Sequence, residues 1–169
     1  MHLISTHKIS SVKSLYTVQM RYLLSTLNQI PMCLEELTDA VSDHQLKDAF
    51  HSHLMEVGLQ RERVDQILLE LTSKVVGKKC PVTAALIATV ERIVKETDRG
   101  PVRDTWLVAS ARKIEEFEIA SYHAALQWAL SLGYTYQASL LEATLAEERR
   151  ANDLFSSVEE RINRTVKAA

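Results

Sequence analysis

The feature that most constrains the fold is an apolar stripe at helical spacing with two glutamates in its middle. The stripe consists of Val108, Ala111, Glu115, Glu118, Tyr122, Ala125 and Ala129. A stripe with steps of three and four residues normally faces the core of an amphipathic helix. A buried, ionised carboxylate is strongly destabilising unless it is paired, hydrogen-bonded or bound to a metal. The sequence therefore predicts a helical protein whose interior must satisfy two acids.

Three further segments carry stripes with apolar ends and a polar centre. The second long segment gives Leu46, Ala49, His53, Glu56, Gln60, Val64, Ile67 and Leu71. The last gives Leu141, Thr144, Glu148, Ala151, Phe155, Val158 and Ile162, and the first gives Val12, Leu15, Gln19, Tyr22, Thr26 and Ile30. The chain separation from Gln19 to Glu56 is close to that from Glu115 to Glu148. In two antiparallel hairpins these four polar groups would therefore lie at a similar depth and converge inside the bundle.

Helix-breaking residues are few, and their positions divide the chain. It has four glycines and three prolines, and no segment alternates in the manner of a strand. The predicted helices span residues 10–37, 42–74, 82–96, 102–132 and 135–164. Pro31 is expected to kink or interrupt the first helix. A capping-box pattern at residues 42–45 is expected to open the second helix, and Gly133 to follow the fourth in a left-handed conformation.

Two long helices, a short helix and two more long helices predict an all-α fold. The arrangement is that of a ferritin-like four-helix bundle, with the short helix in the crossover between the second and third long helices. We expect one domain over residues 1–169, with its core at about 10–164.

Composition and charge exclude several classes of protein. The net charge of −2 gives no general attraction to nucleic acid, and no apolar run reaches the length of a membrane span. Residues 1–8 lack the layout of a signal peptide. Cys33 and Cys80 have neither CxxC spacing nor a disulfide framework around them. These observations favour a cytoplasmic protein without nucleic-acid or membrane partners.

Five stretches carry a family resemblance. They are LKDAFHSHLMEVGLQRER at 46–63, GKKC at 77–80, KIEEFEIASY at 113–122, LAEERRAND at 145–153 and SLYTVQM at 14–20. In this order along the chain they resemble motifs of the YciE/YciF family of ferritin-like proteins, over about residues 10–160. The resemblance implies a bundle related to rubrerythrins, an association with stress responses, homodimers and a biochemically undefined function.

Several positions depart from that family's pattern. The family's glutamate in the first helix is Gln19 here, a position usually holding histidine is Glu116, and an acid of the last helix is Asn152. A typical di-iron bundle also needs Glu-x-x-His on two helices. Three residues beyond Glu56 and Glu148 the chain instead has leucine and alanine. A complete redox di-iron centre is therefore not expected.

The candidate metal ligands are Glu56, Glu115 and Glu148, whose carboxylates are expected within a few ångströms of a common centre. A second tier consists of Gln19, His53, Gln60, Glu118 and Asn152. Fe, Mn or Zn would suit such a site. Burial and crowding of the acids predict at least one raised carboxyl pKa. Without metal, Gln19→Glu is expected to cost roughly 1–3 kcal/mol, and bound metal should reverse the loss.

Three functions fit these observations, and the sequence assigns no catalytic residue or substrate. The leading hypothesis is a non-catalytic or structural stress protein whose degenerate carboxylate layer is held by Gln–Glu hydrogen bonds. The alternative is a metal-binding protein with one or two ions and iron- or peroxide-linked oxidase chemistry. The second alternative is a helical adaptor module that recognises partner helices. Glu147 and Arg150 are assigned to a solvated face.

Overall fold

The computed structural model describes residues 9–166, so the predictions for residues 1–8 and for the two ends of the expected domain lie outside it. The helices are α1 (Val12–Ala40), α2 (His44–Thr72), α3 (Pro81–Glu96), α4 (Pro101–Ser131) and α5 (Thr135–Val166). Within the described range every regular element is helical. The predicted all-α four-helix bundle with a short crossover helix is confirmed.

The four long helices pack as two antiparallel hairpins. Helix α1 packs against α2 and α4 against α5, and each hairpin closes through a three-residue connection. The contacts of α1 with α4 and of α2 with α5 complete the bundle, while α3 packs against α4 and α1. One continuous apolar core lies between the helices. Across residues 9–166, no helix has the length and apolarity needed to cross a membrane.

Helix α1 continues through Pro31, so the chain is not interrupted there, which was one of the two expected effects of this proline. Proline lacks an amide hydrogen and removes one helical hydrogen bond. The side chains of Leu27, Ile30 and Leu34 are all buried around this point. Their packing against the bundle offsets the lost bond, because tertiary contacts override local propensity.

The inward stripe of α1 agrees with the predicted one at Thr26 and Ile30, which are buried, and differs from it in the first half of the helix. Tyr16, Met20, Leu23 and Leu27 are at most 1% exposed, whereas the predicted stripe begins at Val12, which is 43% exposed. The two stripes are offset by about one residue. This rotates Gln19 away from the centre of the buried face.

The N-terminus of α2 is held by two aspartates. Asp43, rather than the predicted Ser42, is the N-cap, and its side chain accepts a hydrogen bond from the Leu46 amide. The buried Asp104 carboxylate accepts the backbone amides of Ser42 and Asp43, both at 2.9 Å. Arg161 donates to Asp43 at 2.6 Å. These bonds tie the starts of α2 and α4 to the end of α5.

The turn between α4 and α5 follows the prediction. Gly133 has a φ of 72°, a left-handed conformation that glycine adopts without steric cost. The Tyr134 amide donates to the Ala129 carbonyl across this turn. The turn satisfies a carbonyl at the end of α4 and reverses the chain, so α5 packs back along α4.

Candidate metal centre

Helix α4 presents two carboxylates to the interior. Every member of its predicted stripe is at most 2% exposed, including Glu115 and Glu118. Residues three apart lie on the same face of a helix. The α5 stripe is also buried throughout, with Glu148 fully enclosed. The helical spacing of apolar residues thus forces three acids into one core.

Four side chains from three helices converge in this core. His53 of α2, Glu115 and Glu118 of α4, and Glu148 of α5 each offer one ligand atom, and these atoms lie within 4.8 Å of one another. All four residues are buried. His53 Nε2 lies 3.3 Å from Glu115 Oε1. We call these four residues the buried cluster.

Seven of the eight side-chain polar atoms of the buried cluster lack hydrogen-bond partners among the described residues. These atoms are both oxygens of Glu118, both oxygens of Glu148, Glu115 Oε2 and the two ring nitrogens of His53. Buried polar side-chain atoms nearly always have a partner. So many unsatisfied atoms at one point leave several oxygens and a ring nitrogen free to bind a cation.

The electrostatics of the cluster disfavour ionised carboxylates. Burial raises the pKa of Glu115, and the nearby Glu148 and Glu118 raise it further. Burial also raises the pKa of Glu118, with Glu148 adding to the effect. Burial raises the pKa of Glu148, although His53 opposes the shift. The sequence-based expectation of at least one raised carboxyl pKa agrees with these directions.

Glu56 lies at the edge of the buried cluster and reaches solvent. Its side chain is 36% exposed, and its Oε2 is 3.7 Å from His53 Nδ1. The inward position of α2 next to it is Val57, which is 2% exposed. His53 holds the pKa of the Glu56 carboxyl below its ordinary value. Glu56 therefore contacts the cluster through His53.

Gln60 and Asn152 have different surroundings. Gln60 is fully buried and donates to Glu147 at 3.4 Å. Asn152 donates to Glu116 at 2.7 Å on the outer side of the α4–α5 pair. The amide of Asn152 is thus occupied away from the buried cluster.

Gln19 lies far from the buried cluster, which corrects the expected convergence of four helices. The α1 residues beside Glu115 are Ile30, Cys33 and Leu34. At a rise of about 1.5 Å per residue, Gln19 is roughly 16 Å along α1 from Ile30. The α1 side chains at this level are apolar, so the cluster is formed by three helices.

Two features near the cluster escaped the sequence interpretation. The Tyr122 hydroxyl is fully buried without a partner in the described range, and burial together with Glu118 raises its pKa. Glu147 is not on a solvated face: Arg63 donates to both its oxygens, at 2.6 and 2.8 Å, and to Thr144. Arg63 follows Gln60 by about one helical turn. The sequence alone does not show that Arg63 pairs with Glu147, because the pairing depends on how α5 is aligned along α2.

Comparison with known proteins identifies relatives of similar length. Protein YciF of Escherichia coli is 39% identical over 131 residues, which are 77% of this chain and 78% of the relative. The crystal structure of the E. coli stress protein YciF superposes with a TM-score of 0.88 and 30% identity, covering 92% of this chain and 99% of that one.

Two further solved structures share the architecture. YcfI from Rhodopseudomonas palustris, presented as a candidate structural protein, has a TM-score of 0.86 and 29% identity over 89% of this chain and 96% of that one. A protein from Xanthomonas campestris has a TM-score of 0.74 at 20% identity over 92% of this chain and 95% of that one, a likeness of fold alone. The profile of one family matches residues 11–167, and the chain belongs to that family, described as a domain of unknown function (DUF892).

Proposed function

We propose that this protein binds a divalent transition-metal ion through His53, Glu115, Glu118 and Glu148. One observation carries the proposal: four ligand atoms within 4.8 Å belong to buried side chains whose polar atoms lack hydrogen-bond partners in the described range. Separating such groups from water is unfavourable unless an ion or a partner compensates them. A cation would compensate several of these atoms at once.

The donor set narrows the choice of ion. Carboxylate oxygens suit Mn and Mg, whereas imidazole suits Zn and Fe. One histidine with three carboxylates therefore fits Mn(II), Fe(II) or Zn(II) better than a soft ion. Three ionised carboxylates carry a charge of −3, and one divalent ion leaves a remainder of −1. When bound, iron or manganese would supply redox chemistry, and zinc would supply Lewis acidity.

The hydrogen bonds expected of a degenerate polar layer do not account for this cluster. Gln60 donates to Glu147, and its own carbonyl oxygen has no partner in residues 9–166. The oxygens of Glu118 and Glu148 accept no hydrogen bond there either. This pattern favours metal binding over the leading sequence-based hypothesis. The relative YciF is described as a stress protein, and we propose the same setting here.

A structural role without metal is the second candidate, and the electrostatics favour it in one respect. Burial raises the pKa of all three cluster carboxyls. Protonated carboxyls carry no charge and can share hydrogen bonds, which lowers the cost of the cluster without a cation. The two candidates differ in whether the purified protein retains metal.

Metal analysis and thermal unfolding test the proposal. Protein purified without chelator should contain stoichiometric metal. A ligand at about 100 times its Kd should add about 2.7 kcal/mol of stability, which raises Tm by roughly 5–10 °C. Glu148→Gln should abolish this increase. Glu142→Gln, an exposed change on the same helix, should preserve it.

No retained metal, together with an unchanged Tm in Mn(II), Fe(II) and Zn(II), would instead support the structural candidate. Loss of the Tm increase in Glu142→Gln as well would mean that the ions act through general surface charge.

A further inference from the structure

A small cavity connects solvent to the buried cluster between α2 and α5. Its volume is about 80 Å³, and it is lined by Ser52, His53, Glu56, Arg150 and Leu154 among others. Ser52, Arg150 and Leu154 are exposed, whereas His53 is 2% exposed. The cavity therefore runs from the protein surface to His53, one residue of the cluster. It is large enough to hold water, which needs roughly 10–15 Å³ of such space.

Two other approaches to the cluster are more restricted. The space beside Glu115 on the α1 side is about 10 Å³ and is lined by apolar residues such as Ile30 and Leu34. That volume is at the lower limit for a single water molecule. Further along the α2–α5 seam, Arg63 and Glu147 form a two-bond ion pair over the buried Gln60. An ion that approached there would have to break this pair.

Two opposite charges stand at the open side of the cavity. The half-exposed Glu56 carboxylate lies 3.7 Å from His53 Nδ1, and His53 Nε2 lies 3.3 Å from Glu115. Glu56 thus has one oxygen near the cluster while the side chain remains in contact with solvent. Arg150, exposed on α5, lines the same cavity and places a positive charge beside it.

We infer, on the basis of the proposed metal site, that this cavity is the uptake route and that Glu56 captures the divalent cation before the buried ligands bind it. A hydrated ion must exchange water for protein ligands in order to enter a buried site. Glu56 offers the first replacement oxygen at the surface, next to a cluster residue. Arg150 opposes the approach of a cation, so it limits the rate of uptake. Glu56 acts on the rates of binding and release, while the buried cluster sets the affinity.

This role has a kinetic signature that separates it from ligation. A residue that acts only on the path changes the association and dissociation rate constants by the same factor and leaves Kd unchanged. Loss of a ligand of the bound ion instead weakens Kd and speeds release. Local charge at a cleft alters association rates by about 10- to 1,000-fold, so the effect is measurable.

The test is stopped-flow uptake of Co(II), followed by its visible absorption, with release measured into excess chelator. Glu56→Gln should slow uptake by about 10-fold and should also slow release, at unchanged stoichiometry. Kd should weaken by a smaller factor than the uptake rate falls, because the Glu56 carboxylate lies 3.7 Å from His53 and also attracts the bound ion. Arg150→Gln should accelerate both uptake and release, and high salt should reduce the difference between variants.

Glu62→Gln makes the same charge change at an exposed position of α2 outside the cavity and should match the wild type. Ser52→Trp should slow both rates by obstruction.

The possible failures are distinguishable. Wild-type protein that binds no Co(II) at equilibrium would refute the proposed function and this inference together. Stoichiometric binding with equal rates in wild type, Glu56→Gln and Ser52→Trp would overturn the route and leave the metal site standing. Faster release from Glu56→Gln than from the wild type would make Glu56 a ligand of the bound ion, which also overturns the inference. Circular dichroism checks that each variant is folded.

Discussion

At the scale of single residues, Glu118 is the clearest case of a buried carboxyl whose ionised form is unfavourable. Both its oxygens are buried without a hydrogen-bond partner in the described range, and Glu148 lies close to it. The neutral carboxyl is therefore favoured in the metal-free folded state. The unfolded chain has no such preference, so the two states bind different numbers of protons over a range of pH.

The stability of the metal-free protein should accordingly fall as pH rises. The carboxyls of Glu115, Glu118 and Glu148 have an ordinary value of 4.5 and raised pKa values when folded. The folded protein holds these protons above pH 4.5 and loses their stabilising effect as pH passes through the raised values. Urea unfolding in chelator, between about pH 5 and 8, measures this slope.

Replacing one acid should flatten the slope. Glu118→Gln keeps a similar shape without an ionisable proton, and we expect it to stabilise the metal-free protein at about pH 8 by on the order of 1 kcal/mol. Glu142→Gln, at an exposed site, should keep the wild-type slope. Equal slopes for wild type and Glu118→Gln would show that Glu118 ionises alike in both states.

Given its position in the structure, substitution of Gln19 is expected to have little effect on stability. Because it is only partly buried and lies far from the cluster along α1, Gln19→Glu should alter the free energy of unfolding by less than about 0.5 kcal/mol, the usual range for a surface substitution. Metal should not change that difference. A loss above 1 kcal/mol that metal reverses would restore Gln19 to the site.

At the scale of helices, Asp43 both caps the N-terminus of α2 and forms an ion pair with Arg161 of α5. It accepts the Leu46 amide and receives Arg161, and the Arg161 interaction lowers the pKa of its carboxyl. Asp43→Ala should cost about 1–2 kcal/mol by urea unfolding. The carboxylate's contribution is present above its ordinary value of 3.8 and lost as pH falls through the lower folded value.

Two variants separate the parts of this contribution. Asp43→Asn retains the cap and removes the charge, so it should recover most of the loss. Asp48→Ala, at an exposed position inside α2, provides the comparison without a cap. If Asp43→Ala and Asp48→Ala lost equal stability, the cap would contribute nothing measurable.

The buried stripes of α4 and α5 follow the predicted steps of three and four residues along their whole length. In α4 this holds although apolar residues such as Val102 and Leu130 also lie on its exposed side. The first half of the α1 stripe was not predictable, because apolar residues surround Gln19 on several sides, and a stripe offset by one residue is almost as hydrophobic. Packing against α2 and α4 decides which face of α1 is buried, and the sequence of α1 alone does not contain this information. For the same reason the sequence favours Glu56 over His53 as a metal ligand. Which of the two side chains points inward depends on how α2 is rotated against α5.

At the scale of the whole molecule, the inward polar cluster disfavours the adaptor hypothesis, which a bundle without an inward polar layer would have supported. We expect a homodimer, because aromatic residues such as Trp106 and Tyr136 remain 39% and 54% exposed on the long helices and aromatic side chains are enriched at interfaces. Light scattering at high concentration should give twice the chain mass of 19.1 kDa. A single-chain mass under those conditions would contradict this expectation.

The division of the bundle into two hairpins has a consequence for the order of folding. Each hairpin closes through a three-residue connection, whereas His53 and the three glutamates lie on opposite sides of the crossover. Loop-closure entropy rises with the length of chain enclosed, so the hairpins should form before they dock. The contacts of His53 with the three glutamates join the two hairpins, so they would form late, when the hairpins dock. A cation bound there would prolong the lifetime of the native state by slowing unfolding, with little effect on the folding rate.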